Sequence, residues 1–275
     1  MSETPTWFTD AVSVVPESRH TEVDGASIHY LSWGERGRPG IVFVHGGAAH
    51  SHWWSHIAPA FLADHSVAAI DLSGHGDSDR RETYGLDFWC DEVAAVIEDA
   101  GFDGPPLLVG HSMGGFVTIG TAARHADLLA GASDTFNKER AYDDPAGPIE
   151  RFRAIPGQDV YLPYVKQHIA ERSLRQDPDG MWRWKFDSSI FMPNRRTAAE
   201  LLPQVTCRVA LLRCEHGLVT RDIGDYMYNQ LGRVAPVIEL PTAGHHPMLD
   251  VPLILITAIR SLIADWDHSR PLHRS

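Results

Sequence analysis

Short apolar runs alternate along this chain with longer stretches whose apolar positions recur every three or four residues. The runs at 27–31, 41–44, 67–70, 107–109, 209–212 and 234–240 have strand length. Residues 87–100 place apolar side chains at 89, 93, 96 and 97, with Gly101 to stop the helix. Residues 114–125, rich in Gly, Ala and Thr, predict a helix packed closely on a sheet; 223–231, capped by Asp222, and 252–266 predict two more. This alternation predicts an α/β fold with a mostly parallel sheet flanked by helices, and the run at 27–31 is expected antiparallel at one edge.

Between 136 and 202 the rhythm stops. Prolines at 145, 148, 156, 163, 178 and 193 interrupt it, and Tyr161, Tyr164, Trp182, Trp184, Phe186 and Phe191 crowd it with aromatics. An irregular or helical cap is expected here, inserted into a core made of 1–135 and 203–275.

Composition narrows the classes. The chain has 275 residues, 43% of them hydrophobic, and carries a net charge of −12, so it can bury a large core and offers no basic footprint for nucleic acid or an anionic membrane. The first ten residues lack the basic and apolar regions of a signal peptide, and no apolar run approaches about 18 residues, so a cytoplasmic protein with no membrane span is expected. The cysteines Cys90, Cys207 and Cys214 fit no metal spacing and form no even framework. The histidines of 50–56, spaced by two and four without acidic neighbours, are read as solvated or satisfied rather than metal-binding.

The chemistry centres on Gly110-His111-Ser112-Met113-Gly114, a G-x-S-x-G stretch between a predicted buried strand and a predicted helix. Such a turn is so sharp that side chains two positions from the serine would collide, and the glycines remove them. The Ser112 hydroxyl is then expected to project alone above the sheet, with helix N–H groups aimed at the same spot. His45-Gly46-Gly47 follows another strand, and the backbone N–H groups of Gly47 and Met113 are the expected pair of oxyanion donors. A serine nucleophile needs a base. In the turn 241–247, His245 is preferred because Gly244 lets the backbone turn directly before it, and His246 is expected to point away.

These motifs resemble those of the α/β-hydrolase superfamily, in its lidded, esterase-like form. The resemblance rests on His45-Gly46-Gly47, the loop 71–78 (DLSGHGDS), the elbow at 110–115 (GHSMGG), and Gly244-His245 with Leu249-Asp250 and Pro252 behind it, in that order along nearly the whole chain. It implies an eight-stranded mostly parallel sheet, a cap after the sixth strand, a Ser–acid–His triad and hydrolysis of carboxylic esters or related acyl compounds, with Asp71 mostly structural. No metal or organic cofactor is required by that chemistry.

One position departs from the pattern. Where such hydrolases usually carry the triad acid, after the seventh strand, this chain has Gly217. Asp134, closing a thin sixth strand at 128–133, is the preferred acid, and Glu215 is the alternative. A small-molecule acyl substrate is the expected partner, with Trp53, Trp54, Trp182 and Trp184 lining its pocket; homo-oligomerisation stays open. Hydrolysis of C–C bonds, lactones or amides, perhydrolase action, and a very slow or non-catalytic ligand-binding protein on the same fold remain alternatives.

Overall fold

The structure is a computed structural model that describes residues 4–124, 141–191 and 198–269. Helix α1 (Thr6–Ser13) leads into the hairpin β1 (Glu17–Val23) and β2 (Ala26–Trp33). Then come β3 (Gly40–Val44), β4 (Ser66–Ile70), α2 (Leu86–Ala100), β5 (Leu107–Gly110) and α3 (Met113–Arg124). These strands form one sheet in the order β1-β2-β4-β3-β5, with β2 antiparallel to both its neighbours and β3 parallel to β4 and β5. The expected edge position of β2 is therefore corrected: the polar strand β1 (ESRHTEV) lies outside it.

Every residue of β3 and β4 is buried, as a strand covered on both faces requires. Side chains alternate between two cores. Val42, Val44, Ala68 and Ile70 pack with Val93, Ile97 and Val117 of α2 and α3. Ile41, Phe43, Val67 and Ala69 face the other way, toward Trp54, Leu255 and Ile256.

The segment after α3, expected to be irregular or helical, contains helices and also strands. It holds β6 (Ala141–Tyr142), α4 (Ala146–Glu150), α5 (Pro163–Arg172), β7 (Leu174–Gln176), β8 (Trp182–Trp184) and α6 (Ala198–Leu201), and its strands form a small antiparallel sheet, β6-β8-β7. Asp177 in the β7–β8 turn accepts from both Arg175 (2.8 Å) and Arg183 (2.9 Å), adding charge to a pairing that sets buried Leu174 opposite Trp184.

The chain ends with β9 (Leu211–His216), α7 (Arg221–Gln230), β10 (Val237–Gly244), α8 (Pro247–Asp250) and α9 (Pro252–His268). Strands β9 and β10 pair in parallel as a unit of their own among the described residues. Here the sequence reading is corrected twice. Residues 213–216 continue the strand past the apolar run expected at 209–212, because buried Arg213 lies directly opposite Glu239 and the two form an ion pair. Thr220, not Asp222, caps α7; Asp222 stands in its first turn. The expected sixth strand at 128–133 lies outside the described residues. No helix among the described residues is long and apolar enough to cross a membrane.

The loop after β4 is built around Asp71. Its buried carboxylate accepts the N–H groups of Ser51 (2.6 Å) and Asp77 (3.0 Å) and the His29 ring nitrogen Nδ1 (2.7 Å). Gly76, at φ 56°, passes so close that a Cβ there would stand 2.0 Å from the Asp71 carboxyl carbon. Burial pushes this carboxyl up, yet the bond from His29 and the nearby His45 and His50 outweigh it and hold the group well below the ordinary range. Asp71→Ala is expected to lower unfolding stability by roughly 2–4 kcal/mol, since buried donors lose their acceptor; urea unfolding near neutral pH measures it. With its folded pKa depressed, Asp71 contributes this stability at all pH values above the ordinary carboxylate range and loses it only as pH falls toward strong acid.

Candidate active site

The turn from β5 into α3 holds Ser112 at φ 54°, a left-handed conformation that L-residues other than Asn, Asp or Gly seldom adopt. It can do so because no side chain projects from the residues two positions to either side. A Cβ on Gly110 would stand 2.4 Å from the Gly114 carbonyl oxygen, and one on Gly114 would stand 2.3 Å from the His45 carbonyl oxygen. Those separations are far inside van der Waals contact: glycine at 110 lets the elbow fold back on its own helix, and glycine at 114 lets it approach the β3 loop.

The other half of the pair arrives from β10. His245 follows the last residue of that strand, and its Nε2 lies 2.9 Å from Ser112 Oγ. A hydroxyl at that distance donates to an unprotonated Nε2 and can pass its proton there. Burial pushes the His245 pKa down to about 4, so the ring is neutral and able to accept at neutral pH.

The turn that presents His245 is fixed by groups the sequence reading did not single out for that task. The Gly244 N–H donates to Asp250 Oδ2 at 2.6 Å, and a Cβ on Gly244 would stand 2.9 Å from both that oxygen and Gln158 Oε1. His246 makes no bond to Ser112: its Nε2–H donates to the Pro156 carbonyl (2.9 Å) and its backbone N–H to Gln158 Oε1 (2.8 Å). His111 donates from Nε2 to the His245 carbonyl at 2.9 Å. Only the glycine before His245 was readable as a signal; the partners of Gln158 and His111 depend on long-range packing.

Beside Ser112 lies the loop 45–47. The His45 ring accepts the Leu72 N–H at Nε2 (3.1 Å) and so donates from Nδ1 to the Gly46 carbonyl (2.7 Å), which fixes one tautomer. A Cβ on Gly46 would stand 3.1 Å from Ser112 Cβ, which shows how closely this loop approaches the serine. Among the described residues, the N–H groups of Gly47 and Met113 have no intramolecular acceptor.

No carboxylate bonds the His245 ring among the described residues. Glu215 Oε2 accepts the Thr242 N–H at 2.7 Å, and Asp250 is engaged with Gly244. Asp134 lies outside the described residues. Gly217, the departure seen in the sequence, sits against the histidine: a Cβ there would be 3.7 Å from His245 Cα and 2.9 Å from Cys214 Cβ.

Two cavities border this region. The larger, about 650 Å³, runs between β5 and β9 and touches Ser112 and His245 at one end; Trp54, stacked on Phe43 at 4.6 Å, is a core residue at its wall. The smaller, about 520 Å³, opens beside Gly47 and is lined by Trp53, Phe152, Arg153, Trp184 and Phe186. It lies against Gly47 of the loop beside Ser112 and under the segment after α3, which makes it a candidate for a bound acyl group. Of the four tryptophans expected there, Trp53 and Trp184 line it. The histidines of 50–56 are held singly, His50 by Ser173 Oγ (2.8 Å), His52 by Ser55 Oγ (3.0 Å) and His56 by the Met248 carbonyl (2.8 Å).

Residues 41–258 match the model of the alpha/beta hydrolase family. The chain is 24% identical over 268 residues to esterase Rv0045c of Mycobacterium tuberculosis, covering 88% of each protein. A shorter match, 32% identical over 108 residues, spans 38% of this chain and only 30% of mouse epoxide hydrolase 4. The solved structure of E-2-(acetamidomethylene)succinate hydrolase superimposes with a TM-score of 0.76 at 21% identity, over 90% of this chain and 99% of that one.

Gly110→Ala is expected to lower stability by about 1–3 kcal/mol, the usual cost of overpacking a filled site, and to displace Ser112 from His245. Thermal unfolding together with a serine-directed fluorophosphonate probe measures both effects.

Proposed function

The chain belongs to the alpha/beta hydrolase family, and we propose that within it the protein is a serine hydrolase of carboxylic esters working through an acyl-enzyme. The observation that carries this reading is the 2.9 Å contact between Ser112 Oγ and His245 Nε2, made at a left-handed serine between two glycines. His245 takes the proton as Ser112 attacks the carbonyl carbon. The resulting oxyanion receives the N–H groups of Gly47 and Met113, then His245 protonates the leaving alcohol, and water repeats the sequence on the acyl-enzyme. The name of the mycobacterial relative, an esterase matched over 88% of both chains, agrees with this class. In this reading residues 136–202 serve as the cap, and the cavity beside Gly47, with Trp53 and Trp184 in its wall, takes a small or medium acyl group.

Asp134 is assigned as the acid that orients His245. Glu215 already accepts the Thr242 N–H, which leaves it less suited to the task. A carboxylate beside Nδ1 would hold the histidine in the tautomer that accepts from serine and would stabilise the imidazolium formed during attack.

The test is hydrolysis of p-nitrophenyl acetate and butyrate by wild type, Ser112→Ala, Asp134→Asn and Glu215→Gln. Activity is expected to fall to background in Ser112→Ala, by up to about 10⁴-fold in Asp134→Asn, and less than about tenfold in Glu215→Gln. Wild type indistinguishable from Ser112→Ala would overturn the reading in favour of a ligand-binding protein. That second reading is favoured by one observation, Gly217 at the position where such hydrolases usually carry the acid.

The pH profile gives an independent check. Burial alone places the His245 transition near 4, and activity is lost as pH falls through that value because the protonated ring cannot accept from Ser112. An adjacent carboxylate favours the protonated form and moves the transition up. The acidic limb of kcat/KM is therefore expected at higher pH in wild type than in Asp134→Asn; identical limbs would exclude Asp134 as the partner.

A further inference from the structure

Three imidazoles converge behind Ser112. One ring nitrogen each from His111, His245 and His246 lie within 4.8 Å of one another. Two of the three have their protons assigned by the surrounding backbone. His111 Nε2 faces the His245 carbonyl and His246 Nε2 faces the Pro156 carbonyl; a carbonyl only accepts, so each Nε2 carries the hydrogen and each Nδ1 presents a lone pair. Both Nδ1 atoms are buried without a hydrogen-bond partner among the described residues.

A buried acceptor without a donor costs stability, and both of these nitrogens belong to rings of the one histidine cluster. Neither lone pair has a part in the acyl-transfer steps. Imidazoles whose far N–H is anchored on a carbonyl have the arrangement typical of metal-ligating histidines, where that bond sets the tautomer and aims the free nitrogen. Burial also keeps the rings unprotonated: His246 is pushed down to about 3 and His245 to about 4, and His111 lies well below its ordinary value, so protons do not compete for the lone pairs at neutral pH.

We propose that His111 Nδ1, His246 Nδ1 and a ring nitrogen of His245 form a binding site for a single borderline divalent transition-metal ion such as Zn²⁺, and that the bound ion reversibly blocks the Ser112–His245 pair. Zinc–nitrogen bonds of about 2.0–2.1 Å set ligand separations of about 3.3 Å in a tetrahedral site, so the rings close around the ion by small side-chain rotations. The fourth position falls toward Ser112 or solvent. Coordination through His245 Nε2 removes the base outright; through Nδ1 it places a dication beside the ring and disfavours the imidazolium that the reaction must form. Hard cations such as Mg²⁺ and Ca²⁺, which take oxygen ligands, are expected not to compete.

Binding is measured directly, so the result does not depend on whether the chain hydrolyses esters. Zinc is titrated into wild type, His111→Gln, His246→Gln and the surface control His268→Gln by calorimetry and by competition with a chromogenic zinc chelator. One ion per chain is expected for wild type and His268→Gln, with at least tenfold weaker binding in the other two and no competition from magnesium. Zinc K-edge absorption of the wild-type complex, expected to show three nitrogen ligands, decides the matter if a variant fails to fold. Where ester turnover is present, zinc is expected to suppress it and EDTA to restore it. Absence of a stoichiometric ion, equal affinity in all four proteins, or an all-oxygen shell would overturn the proposal.

Discussion

The close approach of two backbone turns governs this molecule. The β5–α3 turn folds back on its own helix at Gly110 and meets the β3 loop at Gly114, and Cβ atoms at these two positions would fall 2.3–2.4 Å from carbonyl oxygens. That contact holds Ser112 at φ 54°, a conformation costing of order 1–3 kcal/mol that survives only where surrounding structure over-determines it. The over-determination is visible: the strand on one side and the helix on the other are anchored in a shared core through Val42, Val44, Leu108 and Val117. The serine is thus presented by rigid elements.

The histidine side is held differently. His245 sits at the end of β10, whose register with β9 shifts between Leu240 and Gly244. Its position is set by hydrogen bonds: Asp250 holds the residue before it, His111 its own carbonyl, and Gln158 and Pro156 the residue after it. Two of those partners belong to the segment after α3. Other ties cross the same seam, including the Leu162 N–H to the Leu249 carbonyl (2.8 Å) and the Gly76 N–H to the Lys185 carbonyl (2.7 Å). Movement of that segment would therefore be felt at the imidazole as well as in the cavity beside Gly47.

The elements missed in the sequence share a cause. Strand β1 shows little but polar residues because it is an outer strand with a mostly solvated surface, and such edges are commonly charged. The β7–β8 ribbon draws in part on Asp177 and two arginines, a contribution that hydrophobic periodicity does not report. Strand β9 runs past its apolar half because Arg213 finds Glu239 across the pair. In each case charge or pairing supplies what apolar burial supplies elsewhere, and the pattern of apolar positions is silent about it.

What the sequence determined by itself is the part governed by local rules: two-residue alternation in buried strands, helical spacing in α2 and α9, and glycines wherever two backbones must touch. Those rules single out Ser112, His245 and the loop at 45–47 as candidates, because steric exclusion leaves its mark at the excluded position. Tertiary structure decided which groups meet across long separations. It placed Glu215 on the Thr242 backbone, put Trp54 in the core while Trp53 reached the cavity, and gathered His111 with His245 and His246. Hydrogen-bond partners carry no spacing in sequence, since any donor brought near by the fold serves an acceptor equally well.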